Sequence, residues 1–125
     1  MVPTDRRYTK DHEWVAVAGD TATVGITDFA QRELGDIVYV ELPEKGKQVR
    51  PGDVLGTIES VKAVSEIFAP VSGTVVDSNQ DLDDRPETVN RDALGAGWYC
   101  KLVLSDPSEV GALMDAAAYE KMTAE

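Results

Sequence analysis

Short runs of β-branched and apolar residues, each ended by Gly, Pro, Asp or Asn, recur along the chain. In "HEWVAVAGDTATVGIT" two such runs flank Gly19-Asp20, which predicts a β-hairpin. In "GDIVYVEL" the alternate residues Val38, Val40 and Leu42 predict a strand with one wholly apolar face. Residues 70–73 predict a turn before a further strand, and "WYCKLVL" predicts the last one. The pattern indicates a mostly β fold with small helices at its margins.

Helix signals are confined to a few short segments. In "TDFAQRELG", Thr27 is a capping residue, Asp28 suits the positive end of a helix, and Gly35 can close it. We therefore expect a helix over residues 28–34. The acidic, Gly-containing segment "QDLDDRPETVNRDALGAG" predicts a long loop with room for one helical turn.

Two further helices are expected near the C-terminus. The first follows Asp106 as cap and Pro107 at the first position, with Glu109 able to reach back. The second, in "DAAAYEKMTAE", follows Asp115 as cap.

One lysine, Lys62, stands in the apolar stretch "GTIESVKAVSEIFAPVSG" with carboxylates at Glu59 and Glu66. The near-helical spacing of the apolar residues permits a three-turn helix, whereas the density of β-branched residues favours a hairpin that turns near residues 60–62. A hairpin would project Lys62 into water. Such a lysine suits enzymatic acylation, because its amine can lose a proton. The alternative is an ordinary surface lysine in a salt bridge.

The net charge of −11 argues against nucleic-acid and membrane-surface roles, because phosphate backbones and anionic lipids would be repelled. It favours partners with basic or neutral docking surfaces, unless it serves solubility alone.

The single cysteine, Cys100, fits a reducing compartment, and "MVPTDRRYTKDHEW" lacks the apolar stretch of a signal peptide, so a cytoplasmic location is expected. Cys100 is predicted to be a core residue, and His12 a polar residue near the first strand rather than a catalytic base. One histidine and one cysteine cannot build a structural zinc site.

Five segments resemble a single protein family and occur in that family's order. They are "YTKDHEWV", "VGITDFAQRELGDIVYVELPEKGKQV", "GDVLGTIESVKAVSEIFAPVSGTVV", "GWYCKLVLSDPSE" and "AYEK". Together they resemble the H proteins of the glycine cleavage system, which are lipoyl-bearing carriers. The motif "ESVKA" differs from the "DKA" of lipoyl domains in 2-oxoacid dehydrogenases and from biotin carriers, whose lysine lies between methionines.

The resemblance implies a lipoyl/biotinyl-type β-sandwich, a flattened barrel-sandwich hybrid, with short peripheral and C-terminal helices. It places Lys62 at a hairpin tip and implies that lipoate is attached there in amide linkage. The residues that flank this lysine in the motif are Glu59, Ser60, Val61 and Ala63. A single lipoyl-carrier domain over residues 1–125 is expected, with a core at about 8–105 and C-terminal helices at about 106–123.

The resemblance also implies a shuttle for glycine catabolism and one-carbon metabolism without turnover of its own, because cofactors supply the chemistry. A pyridoxal-phosphate glycine decarboxylase would load an aminomethyl group, and a folate-dependent aminomethyltransferase would take its carbon. Dihydrolipoamide dehydrogenase would reoxidise the dithiol, and lipoylating enzymes would attach the lipoate. Two alternatives stay open: an H-like protein that relays lipoyl groups to other proteins, and a module whose Lys62 is never modified.

Two carboxylates match positions at which the family shelters the loaded arm in a cleft. They are Glu13, in "HEW", and Glu66, which stands where aspartate is usual. The resemblance implies that they face the aminomethyl group, although both could be ordinary surface carboxylates. The loop "NRDALGAGW" departs from the family pattern "NxDPYGxGW", because Ala93 and Leu94 replace Pro and Tyr.

Overall fold

The computed structural model describes residues 2–124, which form nine short strands and five short helices. The strands are β1 (Arg7–Tyr8), β2 (Glu13–Ala18), β3 (Thr21–Ile26), β4 (Ile37–Glu41), β5 (Gln48–Val49), β6 (Val54–Ser60), β7 (Val64–Phe68), β8 (Gly73–Ser78) and β9 (Cys100–Leu104). The helices are α1 (Asp28–Leu34), α2 (Asp81–Asp84), α3 (Thr88–Arg91), the 3₁₀ helix Pro107–Ala112, and α4 (Ala116–Thr123).

The strands pair antiparallel in two sheets that do not close into a barrel. The larger sheet has the order β1-β2-β3-β9-β8-β5, and the smaller has the order β4-β6-β7. The predicted hairpin at Gly19 is confirmed, because β2 and β3 pair on either side of this glycine, whose φ is +64°. The last strand, β9, lies in the middle of the larger sheet and pairs with both β3 and β8.

The core fills the space between the two sheets, and most of its side chains are aliphatic. The larger sheet contributes Val24, Ile26, Val75, Cys100 and Leu102, and the smaller sheet contributes Ile37, Val40, Leu55, Ile58 and Ile67. Cys100 is fully buried in this core, as predicted, and its burial raises the pKa of the thiol to about 12. The structure confirms the mostly β class with two sheets and short helices.

The side chain of Tyr99 links the two sheets. The hydroxyl of Tyr99, next to β9 of the larger sheet, donates a hydrogen bond to the carbonyl of Glu41 in β4 of the smaller sheet. Gly56 lies directly beside this bond, and a Cβ at position 56 would overlap both the Tyr99 hydroxyl and the Glu41 carbonyl. The contact therefore depends on a residue without a side chain at this position.

The predicted apolar face of β4 is wrong. The pairing of β4 with β6 shifts between Ile37 and Tyr39, so the strand contains an irregularity of the β-bulge type. A bulge breaks the two-residue alternation of side chains. As a result Ile37 and Val40 are buried, whereas Val38 is 50% exposed.

The predicted helix caps are confirmed, and the acidic loop contains more helix than expected. The Thr27 side chain accepts a hydrogen bond from Ala30 N, and Asp106 and Asp115 cap the two C-terminal helices in the same way. Glu109 does not reach back to its own helix start but accepts two hydrogen bonds from Ser72. The loop predicted to hold one turn holds two, α2 and α3.

The helices in residues 2–124 are all short. The longest of them, α4, has eight residues. A membrane-spanning helix needs roughly 20 apolar residues. No helix in this part of the chain is long and apolar enough to cross a membrane.

Candidate functional site

The segment around Lys62 is a β-hairpin, and the alternative of a three-turn helix is wrong. Strands β6 and β7 pair from Val54 opposite Phe68 to Glu59 opposite Val64. The dense β-branched residues of this segment lose less side-chain freedom in a strand than in a helix. Residues 61–63 form the tip, and Lys62 is exposed there.

Ser60 stabilises the turn at the hairpin tip through hydrogen bonds to the backbone. Its hydroxyl oxygen accepts hydrogen bonds from the backbone N–H of Lys62, at 3.2 Å, and of Ala63, at 3.1 Å. The backbone N–H of Ser60 also donates to the carbonyl of Ala63 at 2.8 Å. Ser60 is only 5% exposed, whereas the other motif residues, Glu59, Val61 and Ala63, are exposed. The serine therefore supports the turn while its neighbours remain accessible to a partner.

The tip rests on the junction between α1 and β4. The backbone N–H of Val61 donates to the carbonyl of Asp36 at 3.0 Å. A Cβ at Gly35 would lie 3.3 Å from Lys62 Cε and 3.9 Å from Lys62 Nζ, so the lysine side chain crosses the space left by this glycine. Gly35 also has a φ of +81°, which favours glycine. Gly35 was predicted only as the end of α1, because its contact with Lys62 is not local in the sequence.

Lys62 is not part of an ion pair with a neighbouring carboxylate. Within residues 2–124 the ion pairs join Arg6 to Asp5 and Arg32 to Asp28. Glu59 and Glu66 are exposed on the two strands of the hairpin. The interpretation of Lys62 as a salt-bridged surface lysine therefore has no support in the contacts of this part of the chain.

Glu13 is buried, unlike an ordinary surface carboxylate. Its side chain accepts a hydrogen bond from Thr9 Oγ1 at 2.7 Å and another from the backbone N–H of Phe68 at 3.0 Å. Burial raises the pKa of Glu13 to about 7, although the bonds from Thr9 and Phe68 act in the opposite direction. The carboxyl joins the start of β2 to the end of β7, the strand that leads away from Lys62.

An open cavity of about 390 Å³ lies beside Glu13. Its lining is mostly apolar and includes Tyr8, Glu13, Phe68, Pro70, Leu113 and Met114. Glu66 is not in this lining and lies exposed on β7, two residues before Phe68. Residues two apart in a strand share one face, so Glu66 and Phe68 point to the same side of β7. The structure thus brings Glu13 and Phe68 together and leaves Glu66 between them and the tip.

His12 has a structural position next to Glu13. Its Nδ1 lies 2.8 Å from the hydroxyl of Tyr119, which is also 2.6 Å from Thr27 Oγ1. The His12 ring stacks on Phe29 with ring centres 4.6 Å apart, and burial lowers the pKa of the imidazole. These contacts fasten α4 to the start of α1, in agreement with the predicted role of a polar residue near the first strand.

The comparisons with known proteins agree on one family. A sequence model described as "Glycine cleavage H-protein" matches residues 6–125. The chain is 56% identical over 118 residues to the "Glycine cleavage system H protein" of Parvibaculum lavamentivorans, covering 94% of each. It is 52% identical over 124 residues to the protein of the same name from Staphylococcus saprophyticus, covering 99% of this chain and 98% of that one.

The fold comparison leads to the same family. A crystal structure of a glycine cleavage system H protein from Mycobacterium marinum matches with a TM-score of 0.92 at 40% identity. The match covers 99% of this chain and 100% of that chain. The resemblance of the five sequence segments is thereby confirmed over nearly the full length, and the chain belongs to the glycine cleavage H-protein family.

Proposed function

We propose that this chain is the lipoyl-bearing carrier of a glycine cleavage system and that Lys62 is its attachment site. The observation that carries the proposal is the exposed lysine at the tip of the β6–β7 hairpin, held from below by Ser60 and Asp36. Residues 1–125 would act as one carrier domain. Membership of the family and the names of its relatives support the carrier role.

The residues at the tip fit an amide-linked lipoate. A ligase must enclose the lysine and its immediate neighbours, and Val61, Lys62 and Ala63 are all exposed. The lysine amine is not committed to an ion pair within residues 2–124, and a lysine amine can act as an acyl acceptor after losing a proton. When attached, lipoate supplies a disulfide–dithiol pair that can carry a one-carbon unit and two electrons.

The chain's own residues would present and shelter this arm rather than perform chemistry. Ser60 and the 35–37 segment hold the tip, while the open cavity next to Glu13 offers a mostly apolar wall whose charged residues are Lys10, Asp11 and Glu13. We propose that Glu13, together with Glu66 on the same side of β7, faces the amino end of the cargo. A carboxylate in a site with little water would bind a cationic amine more strongly than an exposed one.

The proposed partners follow from the family and from the charge of the chain. They are the pyridoxal-phosphate glycine decarboxylase, the folate-dependent aminomethyltransferase, dihydrolipoamide dehydrogenase and the lipoylating enzymes. A net charge of −11 would favour docking on basic surfaces of these proteins. The carrier itself would have no turnover.

The proposal is tested by intact mass and peptide mapping after incubation with a lipoate–protein ligase, ATP and lipoate. We expect the wild type to gain one lipoyl group, located on Lys62. Lys62→Arg should fold and gain none, because a guanidinium stays protonated and cannot act as the acceptor. Lipoylation of the variant, or at another lysine of the wild type, would contradict the assignment.

A further inference from the structure

Asn90, in α3, bridges two segments that are distant from it in sequence. Its Oδ1 accepts a hydrogen bond from the backbone N–H of Ile37 at 2.9 Å. Its Nδ2 donates to the carbonyl of Gly35 at 2.8 Å and to the side-chain oxygen of Gln31 at 2.9 Å. One amide group thus connects the end of α1 with the start of β4 and fixes the backbone on both sides of Asp36.

The segment fixed by Asn90 is the one on which the hairpin tip rests. Asp36 accepts the hydrogen bond of Val61 N, and Gly35 provides the space that the Lys62 side chain crosses. Ile37 is paired with Ser60 in the register of β4 and β6. Residues 35–37 therefore contact Ser60, Val61 and Lys62, while Asn90 holds the far side of this segment.

We infer that Asn90 is a positioning residue for the acylation of Lys62, an inference that rests on the proposed function of that lysine. It acts through residues 35–37, whose position sets the direction in which the tip presents Val61 and Lys62. An asparagine side chain is suited to this task, because it offers an acceptor and two donors at once. Aspartate keeps the acceptor for Ile37 N but cannot donate to Gly35 and Gln31, and alanine loses all three bonds.

Asn79 provides a matched control in the same chain. It is buried, at 5% exposure, whereas Asn90 is half-buried, and the Nδ2 of Asn79 donates to the carbonyls of Ala96 and Trp98 at 2.9 and 2.8 Å. Asn79→Ala removes the same kind of amide bonds as Asn90→Ala. Its partners lie in the 96–98 segment rather than beneath the tip.

The experiment compares wild type, Asn90→Ala, Asn90→Asp and Asn79→Ala as acceptors for a lipoate–protein ligase with ATP and lipoate. Initial rates are measured over a range of acceptor concentrations at which circular dichroism shows folded protein. Both Asn90 variants should have a KM raised about tenfold with an unchanged kcat, because fewer molecules present the tip correctly while the reacting amine is the same. Asn79→Ala should retain the wild-type KM.

A second readout does not depend on the ligase. Hydrogen exchange of the Val61 amide, which donates to Asp36, should accelerate about tenfold in the Asn90 variants. The Val75 amide, which donates to Lys47, should be unchanged. If Asn90→Ala does not fold, Asn90→Asp decides the question, since it preserves the size of the side chain and one bond.

The inference and the proposed function fail in different ways. A wild-type protein that gains no lipoyl group would overturn the assignment of Lys62 and the inference with it. A wild type that is lipoylated, with equal KM and equal Val61 exchange in the Asn90 and Asn79 variants, would overturn the inference alone.

Discussion

Lys62 and Glu13 are both ionisable residues, but the fold places them in opposite surroundings. Lys62 is exposed at the hairpin tip, whereas Glu13 is 1% exposed and bonded to Thr9 and Phe68. A buried carboxylate loses its hydration, so its protonated form is favoured. With a pKa of about 7, Glu13 changes its charge near neutral pH, where exposed carboxylates are fully ionised.

This pKa predicts how the stability of the protein depends on pH. Between pH 4.5, the ordinary value, and about 7, the folded protein holds a proton on Glu13 that the unfolded chain has released. The contribution of Glu13 to the free energy of unfolding is therefore fully present below pH 4.5 and is lost as the pH rises through 7. The loss is on the order of 3 kcal/mol. Glu13→Gln keeps an acceptor for Phe68 N and cannot ionise, so it should lose this dependence.

The measurement is urea unfolding of wild type and Glu13→Gln between pH 4.5 and 8.5. All other ionisable groups are shared, so the difference in unfolding free energy reports on Glu13. This difference should move in favour of the variant by on the order of 3 kcal/mol over this range. A difference that stays constant with pH would show that the Glu13 pKa is not raised.

At the level of elements, the parts that local signals specify were predicted well from the sequence. Helix α1 runs from Asp28 to Leu34, and its boundaries follow from Thr27 and Gly35, whose effects act within one turn. The hairpin at Gly19 follows from a turn between two β-prone runs. For the segment around Lys62 the apolar spacing was ambiguous, and β-branched density together with the family resemblance favoured the hairpin that the structure shows.

The elements that depend on distant partners were not predicted. The bulge in β4 arises from its pairing with β6. Val38 and Val40 therefore do not share one buried face, although their spacing in the sequence predicts it. The contacts beneath the tip involve Gly35 and Asn90, which are 27 and 28 residues from Lys62 in the sequence. Sequence spacing carries no information about such contacts, so the contact of Gly35 with Lys62 and the three bonds of Asn90 became apparent only from the fold.

The hairpin itself allows a test of how its tip is held. Ser60→Ala removes the oxygen that accepts from Lys62 N and Ala63 N. We expect hydrogen exchange of these two amides to accelerate about fivefold, because one hydrogen bond contributes about 1 kcal/mol. Ser65→Ala, on β7 of the same hairpin, is the control and should leave both amides unchanged. Equal exchange in the two variants would mean that the serine hydroxyl does not organise the turn.

At the scale of the whole molecule, the two sheets are joined by their shared core, by the bond from Tyr99 to Glu41 and by the bond from Phe68 N to Glu13. Such a contact fixes one sheet relative to the other, which packing of aliphatic side chains does less specifically. The smaller sheet carries the Lys62 hairpin, and the larger sheet carries the Glu13 side of the cavity. The relation between the tip and the cavity therefore depends on how the sheets are joined.

Gly56→Ala should disturb this junction, because a Cβ there overlaps Tyr99 and the Glu41 carbonyl. We expect a loss of about 2–4 kcal/mol in unfolding free energy, measured by urea unfolding. Gly111→Ala is the control, because a Cβ at Gly111 would meet no atom within 4 Å. Its effect should stay below about 0.5 kcal/mol. An equally small loss of unfolding free energy in both variants would show that the protein does not depend on this contact between the sheets.

The central place of β9 has a consequence for the order in which the protein can be made. A ribosome releases β3 and β8 well before Cys100–Leu104, yet each of these strands has β9 as its neighbour in the larger sheet. Until β9 emerges, a nascent chain exposes two unpaired strand edges, which invite pairing with other chains. The smaller sheet uses only residues 37–68 and can form earlier. The strands of the lysine-bearing hairpin can therefore pair before the larger sheet is completed by β9.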